Sequence, residues 1–270
     1  MKYVTYWHLE KAPFEKDIAP EKLLRTADFA QAMGSLRFLF ECGGVGLLTG
    51  KPGYGKTTIL RSFIAELPPG LYKSIYLQLS TVKCAEFYRM LAAAMGLEPA
   101  RTKSENFTNI QKRIVSLKTN EKVTPVLILD EAQYLHKDIL IELPMLMNFE
   151  MDRKDYAVLI LSGYPSLNIR LSMETYEALK DRIIASYDIN GMTLEEVQNY
   201  ISTRLRDAGV KRELFIPQAA AAAQAAAKNS IRRLNLILTK AMMIACSREI
   251  KIIDAQCIQM AVEEIRLEGI

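Results

Sequence analysis

The chain has 270 residues, half of them hydrophobic and 24% charged, with a formal net charge of +4. This length accommodates one large domain or two modest ones, with a core that needs no disulfide or metal to hold it. The composition excludes collagenous, low-complexity and disordered classes, and the mild positive charge permits an anionic partner without demanding one.

Up to about residue 190, short β-rich apolar runs alternate with helical patterns. In chain order they are GVGLLT (44–49), a helix over Lys56–Leu67, SIYLQL (74–79), helices over Ala85–Ala94 and Ser104–Lys118, and VTPVLILD (123–130). A helix over Asp138–Phe149 follows, then YAVLILSG (156–163) and ASYDIN (185–190). The runs are near-continuous in Val, Ile and Leu, as in parallel strands covered on both faces. The alternation predicts an α/β domain, a parallel sheet flanked by helices.

Beyond Gly191 the pattern turns helical. Thr193 stands three residues before Glu196, a capping-box spacing, and the segment it opens ends at Gly209. Leu194, Val197, Ile201, Leu205 and Ala208 fall on one predicted buried face. Eight Ala occupy the nine positions 219–227, behind Pro217, which suits a first helical turn. An amphipathic segment over Ile231–Arg248 and a last one from Asp254 complete a small all-helical domain. The expected division is 1–191, including an N-terminal extension, and 192–270.

No stretch approaches the roughly 18 uninterrupted apolar residues of a membrane helix, and the N-terminus has no apolar signal core. A cytoplasmic protein without membrane contact is expected. Cys42, Cys84, Cys246 and Cys257 form no CxxC pair and do not cluster with His8 or His136, which predicts buried reduced thiols.

The first run leads into Gly50-Lys51-Pro52-Gly53-Tyr54-Gly55-Lys56-Thr57-Thr58 and then a helical pattern. This is GxxxxGK[ST] in a strand–loop–helix context. Glycines let successive backbone N–H groups face phosphate oxygens, and the positive end of the following helix adds to the attraction. Lys56 is predicted to reach the β- and γ-phosphates and the Thr57 hydroxyl to ligate Mg²⁺. The run VLILD ends in two adjacent carboxylates. Asp130 is predicted to hold the Mg²⁺ shell and Glu131 to act as general base toward water. ATP and Mg²⁺ are the expected cofactors, with ATP hydrolysis as the reaction.

With these residues in place, the chain resembles the AAA+ ATPases, P-loop machines with an α/β core and a helical lid, and within them the bacterial ExeA/TniB/TnsC-like group. The likeness runs through Trp7, Ala12-Pro13-Phe14, GLLTGKPGYGKTT, LILDEAQYL (127–135), Asn148-Phe149-Glu150, LILSGYP (159–165), 182–189 and Ser230-Ile231-Arg232-Arg233-Leu234-Asn235. The resemblance implies that Ser162 is the sensor-1 residue, orienting water or γ-phosphate. It implies that Arg182 is an arginine finger completing a neighbouring subunit's site, and that Arg232 is sensor 2, with Arg233 its competitor. The family's usual Gly-x-Pro before that arginine is absent; Asn229 and Ile231 stand there. Gln133 either senses the nucleotide state or caps the following helix.

The same resemblance implies a homo-oligomer, ring or helical filament, that assembles on double-stranded DNA and recruits a transposase. Backbone contacts are expected from Arg101, Thr102 and Lys103, in a segment that also carries Lys83, Arg89, Lys112 and Arg113. The alternative is an ATPase assisting assembly of a secretion apparatus. Such relatives carry a membrane segment and a wall-binding extension, so the end of this chain at Ile270 is expected to favour the DNA role. A third reading is a slow nucleotide-dependent switch, to which the intact Glu131 speaks against.

Overall fold

The computed structural model describes residues 2–15, 23–78 and 81–268. The elements follow in the order α1 (Lys2–Tyr6), α2 (Ala27–Cys42), β1 (Gly44–Gly50), α3 (Lys56–Glu66), β2 (Tyr72–Gln78), α4 (Cys84–Ala94) and α5 (Lys103–Thr119). Next are β3 (Thr124–Asp130), α6 (Lys137–Leu146), β4 (Val158–Gly163), α7 (Ser166–Leu171), α8 (Glu177–Lys180) and β5 (Ile183–Ile189). The chain finishes with α9 (Leu194–Asp207), α10 (Pro217–Ala227), α11 (Ile231–Ser247) and α12 (Ala255–Leu267). Leu79, at the end of the second predicted run, lies outside the described residues.

The chain divides into two compact units, 29–51 with 56–189, and 1–28 with 52–55 and 190–270. The first is an α/β unit with one sheet in the order β2-β3-β4-β1-β5, every pairing parallel. Burial follows strand position. All six residues of β4 are buried, as are all of β1 and β3 except the first residue of each. The edge strands β2 and β5 keep several exposed positions. Continuous Val/Ile/Leu runs are what a strand enclosed on both faces requires. Gly46 has a packing role: a Cβ there would meet Leu39 Cδ2 of α2 at 2.5 Å.

Helix α6 stops at Leu146, short of the predicted Phe149. The chain then enters a turn in which Glu150, Met151 and Asp152 all take positive φ, a conformation L-residues adopt at a cost. The apolar pattern marks no helix over 27–42; α2 there buries Ala32, Met33, Leu36 and Leu39.

The second unit is helical. Thr193 Oγ1 accepts from Glu196 N at 3.2 Å and the Glu196 carboxylate accepts from Thr193 N at 2.9 Å, so the capping box forms as expected. Of the predicted α9 face, Val197, Ile201, Leu205 and Ala208 are buried, but Leu194 is exposed because it sits in the first turn. The Ala-rich segment is α10, with Pro217 at its start and Ala219, Ala220, Ala223 and Ala227 buried. Small residues there admit close neighbours from the other helices.

Residues 2–15, expected with the α/β part, pack into this helical core. Trp7 is 1% exposed and its indole N–H donates to Met242 O at 3.1 Å. Arg204 is also buried, and its Nε donates to Pro13 O at 2.7 Å. The expectation of buried thiols holds only for Cys257. Cys42 is exposed and Cys84 and Cys246 are half-buried, although all four are free. Among the described residues no helix is long and apolar enough to cross a membrane.

Candidate nucleotide-binding site

Strand β1 ends at Gly50, where a Cβ would crowd Ile189 Cβ at 3.0 Å. Lys56 opens α3 and is 6% exposed, an unusual burial for an ammonium. Its charge is met by carbonyls, with Nζ donating to Gly50 O at 2.8 Å and Lys51 O at 3.4 Å, and by the Tyr164 ring, whose centroid lies 4.9 Å away. The lysine is thus held along the loop that precedes it. Thr57 and Thr58 follow in the first turn of α3.

Asp130, the last residue of β3, is 2% exposed and collects four donors. Its Oδ1 accepts from Ser162 Oγ at 2.8 Å and Glu131 N at 3.0 Å. Its Oδ2 accepts from Tyr76 Oη at 2.8 Å and Thr57 Oγ1 at 3.3 Å. A buried carboxylate demands such partners. Sheet order explains the set: β2 and β4 flank β3, so Tyr76 and Ser162 arrive from both sides while Thr57 arrives from α3. Burial, then the bond to Asp130, push the Tyr76 hydroxyl well above its ordinary range, so it remains a donor.

Tyr76 is absent from the residues singled out in the sequence; inside an apolar run nothing marks it, and only the strand neighbour reveals it. Ser162 is fully buried and directs its hydroxyl at Asp130, so it acts on the acid directly. Glu131 leaves the strand with φ 58° and ψ 36° and stands half-buried. Gln133 Nε2 donates to Glu131 Oε2 at 2.6 Å. Gln133 does not cap α6; His136 is its N-cap residue.

A Mg²⁺ ion fits this donor set. Thr57 and Asp130 supply a hydroxyl and a carboxylate oxygen side by side, and Mg²⁺ takes one or two carboxylates with phosphate and water completing its shell. Among the described residues no group of three His, Cys, Asp or Glu could hold a metal unaided.

Residues 52–55 belong to the helical unit. Gly53 has φ +80°, its carbonyl accepts from Ile231 N at 2.9 Å, and a Cβ on it would lie 2.3 Å from Ser230 Oγ. The Tyr54 hydroxyl donates to Lys228 O at 3.0 Å, and Gly55 has φ +100°. These bonds fix the start of α11, where Ser230 caps the helix through Arg233 N. Asn229, where the resemblance implies a glycine, takes φ +64°, so the turn has a left-handed residue there. Arg232 is exposed, whereas Arg233 is half-buried with a buried Nε that has no hydrogen-bond partner.

Arg182, 22% exposed, forms an ion pair with Asp152 at 2.7 Å. Of the expected DNA contacts Arg101 is exposed, as are Lys83, Arg89 and Lys112 in the same segment. Thr102 is the N-cap of α5 in a second capping box with Glu105, and Lys103 pairs with Glu142 at 2.6 Å. The loop before α5 is held by the buried Asn106, whose amide donates to Ala100 O and Thr102 O at 3.0 and 2.9 Å. Arg113 pairs with Glu121.

The architecture is the P-loop AAA+ fold, and residues 41–171 match the family model described as AAA domain. Over 254 residues the chain is 29% identical to General secretion pathway protein A of Aeromonas hydrophila, a likeness covering 91% of this chain and 45% of that protein. The chain therefore spans less than half the length of that relative. Among solved structures it is similar to Cdc6p from Pyrobaculum aerophilum, with TM-score 0.67, 16% identity, and coverage of 89% of this chain and 67% of that one. It is also similar to the Aeropyrum pernix ORC1 protein in complex with DNA, with TM-score 0.63, 20% identity, and coverage of 90% and 66%. At those identities the likeness concerns the fold.

Proposed function

We propose that the protein is a Mg²⁺-dependent ATPase serving as the motor module of a secretion-assembly factor. The observation that carries the hydrolytic part is the Asp130 cluster: a buried carboxylate with Thr57 at one oxygen, Ser162 at the other, and Glu131 beside it. The likeness to General secretion pathway protein A supports the assembly role. Since the chain covers 45% of that protein, the position of Ile270 carries no weight against it.

In this reading the loop from Gly50 to Gly55 presents backbone N–H groups to the phosphates. Lys56 exchanges part of its carbonyl contact for phosphate oxygens. Thr57 and Asp130 would hold Mg²⁺, which when bound neutralises charge on the phosphates. Ser162 and Tyr76 fix the carboxylate of Asp130 so that it needs no reorganisation. Glu131 takes the proton of the attacking water. Arg232 contacts nucleotide from the start of α11, and Arg182, released from Asp152, completes a neighbouring subunit's site in a homo-oligomer.

The second reading is a DNA-dependent ATPase, favoured by the fold shared with the ORC1 protein in complex with DNA and by exposed Arg101 on a loop braced by Asn106. Transposase recruitment rests on the sequence resemblance alone; the relatives reported above do not name it.

The test is steady-state ATP hydrolysis with and without duplex DNA, across protein concentration and salt. The assembly reading predicts a rate that rises with protein concentration and ignores DNA. Stimulation by DNA that fades with salt would transfer the conclusion to the second reading.

A further inference from the structure

The side chain of Gln133 joins the end of β3 to the residue after β4. Its amide nitrogen donates to the Glu131 carboxylate at 2.6 Å, and its amide oxygen accepts from the Tyr164 backbone N–H at 3.0 Å. The orientation of this amide is fixed by chemistry. A carboxylate only accepts and a peptide N–H only donates, so a flipped amide would lose both bonds.

The surroundings are built to keep it there. Glu131 turns left-handed as β3 ends, and the short turn Ala132–Tyr134 brings the Gln133 side chain back onto the Glu131 carboxylate. Arg170 of α7 clamps the turn, donating to Gln133 O at 3.3 Å and Leu135 O at 2.7 Å. Gly163 makes the room: a Cβ there would fall 2.5 Å from Gln133 Oε1 and 3.3 Å from Gln133 N. The Tyr164 ring carries the Lys56 ammonium on its face, so Gln133 links Glu131 to the residue that supports the P-loop lysine.

We infer that Gln133 is a positioning residue for the hydrolytic base: its amide aims the Glu131 carboxylate and ties that aim to the peptide following β4. This rests on the reading of Glu131 as the base. A carboxylate free to rotate would sample geometries in which the attacking water is misplaced, and misplacement of about 1 Å costs on the order of 100-fold in rate.

Gln133→Glu separates positioning from structure. It still accepts from Tyr164 N but offers Glu131 no donor and a like charge. Gln133→Met keeps the length and removes both bonds. For each, kcat and KM for Mg-ATP are measured beside wild type, Glu131→Gln and the Glu131→Gln/Gln133→Met double variant, with thermal melts and binding of a fluorescent ATP analogue. Both single variants should lose about 100-fold in kcat with KM and analogue affinity within about twofold. Gln133→Glu should melt close to wild type. The double variant should be no slower than Glu131→Gln alone, since the two residues act on one path.

Gln133→Glu or Gln133→Met turning over within about threefold of wild type, while Glu131→Gln is inactive, overturns the inference and leaves the base standing. A raised KM at unchanged kcat, or an additional loss in the double variant, overturns it as well. Undiminished hydrolysis by Glu131→Gln instead refutes the reading on which it depends.

Discussion

Replacing Trp7 with Ala tests whether the N-terminal segment belongs to the helical core. The indole is 1% exposed, packs edge-on to Tyr6 at 4.9 Å between ring centroids, and donates to Met242 O at 3.1 Å. Truncating a buried Trp to Ala costs about 3–5 kcal/mol, and the lost hydrogen bond contributes about 1 kcal/mol of that. Against a typical total stability of about 5–15 kcal/mol, such a loss removes much of the helical unit's margin. Trp7→Phe keeps most of the ring and drops the N–H donor, so it should cost about 1–2 kcal/mol. Urea unfolding followed by far-ultraviolet circular dichroism reads both, with the two units fitted as separate transitions. A cost below about 1 kcal/mol for Trp7→Ala would show that the segment does not anchor this core.

Other predictions concern charge and reactivity. Burial raises Glu142, but the bonds from Lys103 and Cys84 outweigh it and hold the carboxyl below its usual range. Its contribution is therefore complete above the ordinary carboxylate range and is lost as pH falls through the folded value. The advantage of wild type over Glu142→Gln should shrink on acidification, and because Lys103 is 44% exposed it should not exceed about 1 kcal/mol at neutral pH; an advantage that grows toward acid contradicts the assignment. Burial, followed by the bond to Glu142, pushes the Cys84 thiol up to about 11, so iodoacetamide at pH 8 should label exposed Cys42 well before Cys84, as read by peptide mass spectrometry. Arg182→Ala should leave nucleotide affinity near wild type while removing turnover that depends on protein concentration. Mixing it with Glu131→Gln subunits should restore activity, and no recovery argues against hydrolysis across a subunit boundary.

The parts of the site legible in the sequence are those encoded by neighbours along the chain. Gly50–Thr58 and the paired acids Asp130 and Glu131 carry their chemistry in contiguous motifs, and the parallel sheet announces itself through apolar runs. What stayed hidden depends on which strands meet. Tyr76 reaches Asp130 only because β2 lies beside β3; Ser162 is named by the resemblance, but its bond to Asp130 follows only from β4 lying on the other side. The Lys103–Glu142 pair joins α5 to α6, so a lysine that reads as free in the sequence is already engaged. The docking of Trp7 and Pro13 on the helical unit involves residues about 190–240 positions apart, where periodicity gives no signal.

The most direct test of the hydrolytic site is turnover of Mg-ATP by wild type and Glu131→Gln under identical conditions, with nucleotide binding measured on the same samples. The arrangement around Asp130 predicts that wild type hydrolyses ATP and that the variant binds it with similar affinity while losing at least about 100-fold in rate. Equal rates in the two proteins would contradict the assignment of Glu131, and with it the catalytic role given to this end of β3.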